Sequence, residues 1–244
     1  MLGQVGRGGA AFTVEYSLAG RMVVFSHGFG VRRDGRGMLA EIAHSLPEGT
    51  GYVLFDYNDI DETAGTVRAA TFSEQVSRLE AVLAWTKQLA GVETVSLIGH
   101  SMGCLVIAEL APEGIDRIIL LAPPTTPLGG YRRQRYTRRP DAQRVGDTWH
   151  IPRRDGTITI ISDAVFDELE QVDAEGELVK LAMFRPFTLV VAEADEVLPD
   201  DDYTELIALP AVASYGVEDA GHNFTGTARK ELLRIIAGEL GAAG

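Results

Sequence analysis

The chain has 244 residues, of which 45% are hydrophobic and 23% are charged, and its formal net charge is −13. This composition suits one large α/β domain or a core domain with an insertion, and the acidic balance argues against nucleic acid and anionic membrane surfaces as main partners. No run approaches the roughly 20 apolar residues of a membrane span, and no apolar segment of signal-peptide type stands at the N-terminus, so we expect a cytoplasmic location.

Cysteine and charge are both unevenly used. Cys104 is the only cysteine, which excludes an internal disulfide and a cysteine-based metal site. Between Arg132 and Arg154 the sequence has eight arginines and two aspartates, a local charge of +6, while the rest of the chain carries −19. One segment therefore differs in electrostatic character from the remainder.

Short apolar runs bounded by Gly, Pro or Asp alternate with helix-length amphipathic segments. Continuous apolar runs of this length predict parallel strands that are buried on both faces. These runs are residues 22–26, 52–55, 95–98, 118–122 and 187–192. The clearest helix covers about 72–89 and begins with capping-box spacing at 71–74, and the chain ends with a strand at 213–217 and a helix at 228–240. The alternation predicts a doubly wound, mostly parallel sheet.

The alternation stops between residues 124 and 185, a stretch too long for a simple loop. Residues 149–151 and 157–161 flank a Gly-containing turn at 153–156, which predicts a β-hairpin, and short helices are predicted at 163–172 and 177–183. We interpret 124–185 as an inserted cap or lid, with the core formed by 1–123 and 186–244.

A pentapeptide in the middle of the chain, Gly99-His100-Ser101-Met102-Gly103, carries the first chemical signal. It follows a predicted strand and opens a predicted helix at 104–110, the setting in which a nucleophile elbow presents a serine above the sheet. Ser101 is therefore the candidate nucleophile. The alternative is a glycine-rich turn with an incidental serine.

The serine needs a base, and His222 lies just after the last predicted strand, where a loop histidine can lean over the sheet. The alternative is a loop histidine that is satisfied locally. Asp195 follows the strand at 187–192 and is the candidate that orients His222, with Glu193 as the nearest competitor. The chain order serine, aspartate, histidine is the order expected of a nucleophile elbow on a sheet of this kind.

A second glycine motif, His27-Gly28-Phe29-Gly30, follows the strand at 22–26. The backbone N–H groups of Phe29 and Met102 are the candidate oxyanion-hole donors, and a plain strand-end turn is the alternative. His27 is interpreted as a local structural group, and both His27 and Gly28 are also candidate substrate contacts.

Taken together, the two glycine motifs, Asp195 and Gly221-His222 resemble the α/β-hydrolase superfamily, and most closely its small serine carboxylesterases of the acyl-esterase and cinnamoyl/feruloyl-esterase branch. The resemblance implies an acyl-enzyme intermediate, no cofactor, no metal and a variable cap whose place matches 124–185. One departure is the short stretch before the first predicted strand, which leads us to expect the usual N-terminal antiparallel pair to be reduced to residues 11–18.

The function that follows is hydrolysis of a small-molecule carboxylic ester through Ser101. A thioesterase, a peptidase or an acyltransferase would use the same residues, and a non-catalytic ligand-binding module could share the fold. In the cap, Arg132, Arg133 and Trp149 are candidate substrate contacts, and the arginines would suit a carboxylate or phosphate on an acidic substrate. The alternative is a solvated face, or a cap held by the acidic run at 193–202. A homodimer is a candidate assembly.

Overall fold

The computed structural model describes residues 1–6, 11–153 and 156–241. The strands, in chain order, are β1 (Leu2–Val5), β2 (Phe12–Ser17), β3 (Arg21–Ser26), β4 (Thr50–Phe55), β5 (Asp59–Asp61), β6 (Thr66–Arg68), β7 (Thr94–His100), β8 (Ile118–Leu121), β9 (Gln143–Val145), β10 (Thr148–Pro152), β11 (Ile158–Ser162), β12 (Phe187–Ala192) and β13 (Val212–Val217). The helices are α1 (Met38–His44), α2 (Phe72–Lys87), α3 (Met102–Leu110), α4 (Gly129–Thr137), α5 (Asp163–Gln171), α6 (Ala174–Phe184), α7 (Thr204–Ile207) and α8 (Thr227–Gly241).

The main sheet has eight strands in the order β1-β2-β4-β3-β7-β8-β12-β13. The pairs β1–β2 and β2–β4 are antiparallel, and every pair from β4 to β13 is parallel. The prediction of a doubly wound, mostly parallel sheet is therefore confirmed. The five apolar runs in the sequence correspond to β3, β4, β7, β8 and β12. These strands are apolar because helices cover both faces of the sheet, so neither face is exposed to solvent.

Two apolar layers lie on opposite faces of this sheet. On one face, α2, α3 and α6 pack with side chains such as Leu79, Leu105 and Leu178, all of them fully buried. On the other face, α1 and α8 contribute residues such as Ile42 and Leu232. The predicted capping box of α2 is confirmed, since Thr71 and Glu74 each accept a hydrogen bond from the other's backbone N–H.

The N-terminal antiparallel pair is complete, so the expectation that it would be reduced to residues 11–18 is wrong. β1 pairs with β2 from Leu2 opposite Glu15 to Val5 opposite Phe12. In the sequence, β1 is only four residues long and just one of them, Val5, is buried, so it lacks the apolar run that marks the central strands.

A second sheet of five strands, in the order β5-β6-β11-β10-β9, lies outside the main one. The predicted hairpin is confirmed as β10 and β11, which are antiparallel, although Arg154 and Asp155 of its turn lie outside the described residues. β11 also pairs in parallel with β6, from Ile158 opposite Thr66. The second sheet thus joins residues 59–68 to the segment 124–185. The division into a core and a cap at 124–185 stays a prediction.

The segment 124–185 contains three helices in its described part. α5 and α6 follow the hairpin near their predicted positions, whereas α4, which carries the first arginines of the basic segment, has no apolar periodicity and was not predicted. None of the helices in the described residues has the length and apolar character needed to cross a bilayer.

Candidate active site

Ser101 occupies the turn between β7 and α3, with φ 54° and ψ −130°. A non-glycine residue in this region is strained, and such strain is characteristic of functional positions. The turn is possible because Gly103 lies against the end of the neighbouring strand β3: a Cβ at Gly103 would stand 2.2 Å from the carbonyl oxygen of Ser26. The backbone N–H of Ser101 donates to the carbonyl of Leu121 on β8, 2.9 Å away. The carboxyl end of the neighbouring strand β8 therefore fixes the backbone of the serine.

His222 and Asp195 lie in the loops that follow β13 and β12, which are neighbouring parallel strands. The distance from His222 Nδ1 to Asp195 Oδ2 is 2.7 Å, and both side chains are 8% exposed. Because the carboxylate can only accept, Nδ1 carries the ring proton and Nε2 is left as a base. Their positions after predicted strands and their order in the chain suggested this pair, and the structure brings the two side chains together.

The Asp195 carboxylate is held in its ionised form. Burial acts to raise the pKa of Asp195. The hydrogen bond and charge of His222 and the backbone N–H groups of Val197 and Leu198 lower it by more, so the pKa lies below its usual range. Those two N–H groups bond to Oδ1 at 2.8 and 2.9 Å. The competitor Glu193 instead lies against Gly216 on β13.

His100 connects the serine turn to the histidine loop. Its Nε2 donates to the backbone carbonyl of His222 at 2.9 Å, and the two imidazole rings pack with their centroids 4.8 Å apart. Burial lowers the pKa of His100 to about 3, so the ring is neutral. A neutral His100 ring therefore adds no positive charge beside His222.

Two further residues hold the His222 loop, and neither was singled out for this in the sequence. Glu196 Oε2 accepts from the backbone N–H of His222 at 3.0 Å. Arg229 on α8 donates to the carbonyl of Asn223 at 2.7 Å and pairs with Glu41. The only available signal was that Glu196 adjoins Asp195, because contacts from side chains to distant backbone N–H and carbonyl groups leave no local pattern.

The other glycine motif lies directly beside the serine. A Cβ at Gly28 would stand 3.0 Å from Ser101 Cβ, so only glycine lets the two turns approach this closely. His27 uses both ring nitrogens on backbone: Nε2 accepts from the N–H of Tyr57 at 3.0 Å, and Nδ1 donates to the carbonyl of Gly28 at 2.8 Å. Burial lowers the pKa of His27. His27 therefore holds the backbone of the Gly28 turn through hydrogen bonds.

The two candidate oxyanion donors flank Ser101. Met102 is the first residue of α3, so its N–H belongs to the first helical turn, whose donors have no acceptor within the helix. Phe29 follows Gly28, and its ring packs against that of Tyr136 with centroids 5.5 Å apart. Both positions suit donors aimed at a group bound to the serine.

The candidate cap contacts separate into two groups. Arg132 is buried, with its guanidinium carbon 5.7 Å from the centroid of the Phe29 ring. Arg133 pairs with Glu170 at 2.8 Å and with Asp167, while Trp149 Nε1 donates to Asp163 at 3.2 Å. Arg132 thus lies beside the candidate site, whereas Arg133 and Trp149 contact carboxylates of α5.

The acidic run at 193–202 also contacts the predicted cap, at the start of this segment. Asp201 Oδ1 accepts from the backbone N–H of Thr126 at 2.8 Å and from the hydroxyls of Thr125 and Thr126. The expected partners of this run were arginines, and the structure shows threonines in their place.

Comparison with known proteins gives a consistent result. The sequence profile of the alpha/beta hydrolase family matches residues 23–235. Comparison with curated proteins by sequence gave no significant match. Among solved structures, Est1E from Butyrivibrio proteoclasticus with bound ferulic acid superposes with a TM-score of 0.72 at 15% identity, covering 98% of this chain and 99% of that one.

Two other solved structures are similar to the same extent. The Pyrococcus furiosus esterase Pf2001 gives a TM-score of 0.70 at 15% identity, with 99% of this chain and 89% of that chain covered. The esterase domain of a Rhodothermus marinus protein gives 0.67 at 16% identity, with 97% and 95% covered. At such identities the likeness is one of fold.

Proposed function

The chain belongs to the alpha/beta hydrolase family, and on that premise we propose that it is a serine hydrolase that cleaves carboxylic esters through an acyl-enzyme on Ser101. The observation that carries the proposal is the 2.7 Å hydrogen bond between His222 Nδ1 and Asp195 Oδ2, in two loops beside the strained turn of Ser101. The choice of esters is supported by neighbours of the same fold that are named esterases, one of which holds ferulic acid.

In the first step, Nε2 of His222 takes the hydroxyl proton of Ser101 while the serine oxygen attacks the ester carbonyl carbon. The carbonyl oxygen becomes an oxyanion, which the N–H groups of Phe29 and Met102 stabilise. The imidazolium is stabilised by Asp195, whose pKa is held low, so the carboxylate keeps its negative charge. His222 then returns the proton to the leaving alcohol, and the acyl-enzyme remains.

In the second step, water replaces the alcohol. His222 removes a proton from water, hydroxide attacks the acyl carbon, and the same two N–H groups stabilise the second oxyanion. When this intermediate collapses, the proton returns to Ser101 and the carboxylic acid leaves. No group outside the chain takes part in either step, apart from substrate and water.

Covalent labelling with a fluorophosphonate probe tests the nucleophile. We expect the protein to be labelled at Ser101, and Ser101→Ala to lose both labelling and more than about 10³-fold of kcat on p-nitrophenyl acetate. Ser96→Ala, at a buried serine on β7 of the same chain, is the matched control and should keep the labelling. Labelling that persists in Ser101→Ala overturns the assignment.

A panel of activated substrates then tests the ester preference. We expect burst kinetics on p-nitrophenyl esters and higher kcat/KM on these than on matched thioesters or anilides. A higher kcat/KM on thioesters or anilides would replace ester hydrolysis by thioesterase or peptidase activity. Release of alcohol together with transfer of the acyl group to an added alcohol would indicate an acyltransferase.

A further inference from the structure

A cavity of about 770 Å³ lies between the Gly28–Gly30 turn and the second sheet, and Phe29 is part of its wall. Its volume falls within the range of sites that hold small molecules, roughly 300–1,000 Å³. Five arginines and one carboxylate line it, which is an unusual composition for a chain with a net charge of −13. They are Arg32, Arg36, Arg135, Arg139, Arg153 and Asp34.

Nearby acids neutralise only part of this charge. Arg32 pairs with Glu62 at 2.5 Å, and Arg139 pairs with Asp141 at 2.7 Å. Even when Arg135 is left out of the count, the other four guanidinium groups outnumber these two acids and Asp34, so the described lining keeps an excess of positive charge. In a protein that is acidic elsewhere, such an excess attracts anions to this one place.

Arg153 provides the most specific sign of a ligand. Its Nε donates to the hydroxyl of Thr159 at 2.7 Å, and its guanidinium carbon lies 5.4 Å from the centroid of the Tyr136 ring. These contacts fix the plane of the guanidinium group. Its Nη2 atom is buried and has no acceptor among the described residues. A buried, charged N–H group without an acceptor is costly, so an oxygen from a bound anion is the expected partner.

The space in front of this nitrogen is kept open by Gly30. A Cβ at Gly30 would stand 3.1 Å from the Tyr136 hydroxyl and 3.5 Å from Arg153 Nη2, so any longer side chain would fill the gap. Gly30 also has φ +68°, a conformation that other residues adopt only with strain. The missing side chain of Gly30 and the shape of its turn therefore both leave space for a ligand atom in front of Arg153 Nη2.

The same turn links the cavity to the reacting centre. A Cβ at Gly28 would meet Ser101, and a Cβ at Gly30 would meet Arg153 and Tyr136, so the turn lies between these side chains. The two glycines are two residues apart, a distance that the chain spans in at most about 7 Å. An ester whose carbonyl is placed at Ser101 can therefore reach the cavity with its other end.

We propose that this cavity binds an anionic group of the substrate, a carboxylate or a phosphate, with Arg153 as the principal contact and Arg36 as a cation at the rim. A guanidinium fork suits both groups because it matches two oxygens at once. The inference rests on the proposed function, which it deepens: the preferred substrates are esters with a negative charge remote from the scissile bond.

Binding without turnover tests the cavity independently of catalysis. In a Ser101→Ala background, calorimetric titration with monomethyl adipate, dimethyl adipate and inorganic phosphate compares anions with a neutral molecule of matched length. We expect the monoanion to bind at least about tenfold more tightly than the diester. Arg153→Gln should remove that preference, and Arg36→Gln, at an exposed residue, should reduce it about threefold.

The matched control is Arg138→Gln, which removes the same charge one position from Arg139 at an exposed residue outside the cavity wall. It should leave both titrations unchanged. Equal affinity of the Ser101→Ala protein for monomethyl and dimethyl adipate overturns the proposal, as does an equal effect of Arg138→Gln and Arg36→Gln on the monoanion. Binding of phosphate but not of monomethyl adipate narrows the ligand to phosphate groups and retains the cavity as their site.

Kinetics with the otherwise unaltered enzyme show which part of the ester enters the cavity. The mono-p-nitrophenyl ester of adipic acid carries its charge on the acyl side, and 4-acetoxybenzoate carries it on the alcohol side; methyl p-nitrophenyl adipate and methyl 4-acetoxybenzoate are their neutral counterparts. Arg153→Gln and Arg36→Gln should lower kcat/KM for one charged ester while each neutral ester changes less than about twofold.

Equal losses on charged and neutral esters would assign both arginines a structural role and overturn the proposal. Absence of turnover on all four esters, together with absence of fluorophosphonate labelling, would instead remove the proposed function. The titration result stands in that case, because it needs no hydrolysis.

Discussion

The two sheets are stabilised by different forces. In the main sheet, central strands such as β7 and β8 are almost wholly buried, β8 is entirely apolar, and the candidate active site lies in loops at the carboxyl ends of the parallel strands. In the second sheet, β9 is fully exposed, and Asp59 on β5 pairs with both Arg68 and Arg78. The candidate active site therefore rests on a scaffold held by apolar packing, while the neighbouring layer depends in addition on charge pairs that salt and substitution can alter.

The largest contrast is expected for carboxylates. Asp195→Asn should lower kcat by about 10³- to 10⁴-fold, because an amide at this place no longer holds the Nδ1–H tautomer of His222. Asp163→Asn, at an acid that pairs with Arg144 and Trp149 beside the second sheet, should change kcat less than about threefold. Steady-state kinetics on p-nitrophenyl acetate measure both. Similar losses in the two variants would contradict the comparison.

The second contrast concerns glycines. Gly103→Ala should destabilise the fold by at least about 3 kcal/mol, because its Cβ would lie 2.2 Å from the Ser26 carbonyl oxygen and neither backbone can yield. Gly146→Ala, in open space between β9 and β10, should cost only about 1 kcal/mol from its φ of +62°. Urea denaturation compares the two, and equal costs would show that the turns are equally constrained.

The third prediction uses pH. The pKa of His100 falls from 6.5 to about 3 in the folded protein, so between these values the unfolded chain binds a proton that the folded one does not. Stability must therefore fall as pH drops through this window, by about 1 kcal/mol per pH unit from this group. His100→Gln keeps a donor for the His222 carbonyl but does not titrate, so its urea denaturation between about pH 6.5 and pH 5 should show a weaker decline. If stability declines equally with falling pH in both proteins, the protonation of His100 is not the cause of the decline.

The smallest effect is expected for the arginine network. Arg133→Met should cost about 1 kcal/mol at low ionic strength, since the residue pairs with Glu170 and Asp167 while about one third of its side chain is exposed. The difference from the parent protein should shrink in about 1 M NaCl, where charge pairs are screened. Arg234→Met, which breaks an exposed pair with Glu231, serves as the control and should show no measurable change. A loss that salt does not reduce would indicate apolar packing on Phe166 instead.

The difference between the main sheet and the second sheet also explains which parts of the structure the sequence could predict. Buried parallel strands have no solvent face, so they appear as unbroken apolar runs, and the capping residues Thr71 and Glu74 mark a helix start within four positions. When strands and helices alternate along the sequence, the loops that follow the strands can be identified as those at the carboxyl edge of the parallel sheet. For this reason Asp195 and His222 could be nominated together before their 2.7 Å contact was visible.

In the second sheet only the hairpin of β10 and β11 was predicted, and the other three strands gave no such signal. β5 and β6 are three residues each and carry charged side chains, and the partner of β6 lies far along the chain. The acids that hold Arg133 come from α5, one turn apart on a helix whose orientation is set only in the folded protein. Local propensity and periodicity hold no information about pairings of this kind.

The parallel pairing of Thr66 with Ile158 has a consequence for the order of assembly during synthesis. Residues 59–68 leave the ribosome well before β11 does, and at about 5–20 residues per second the hairpin of β5 and β6 waits several seconds for its partner strand. An unpaired strand edge invites association with another chain, and charged side chains discourage it. Asp59 and Arg68, which pair across this hairpin, are placed to protect the growing chain during that interval.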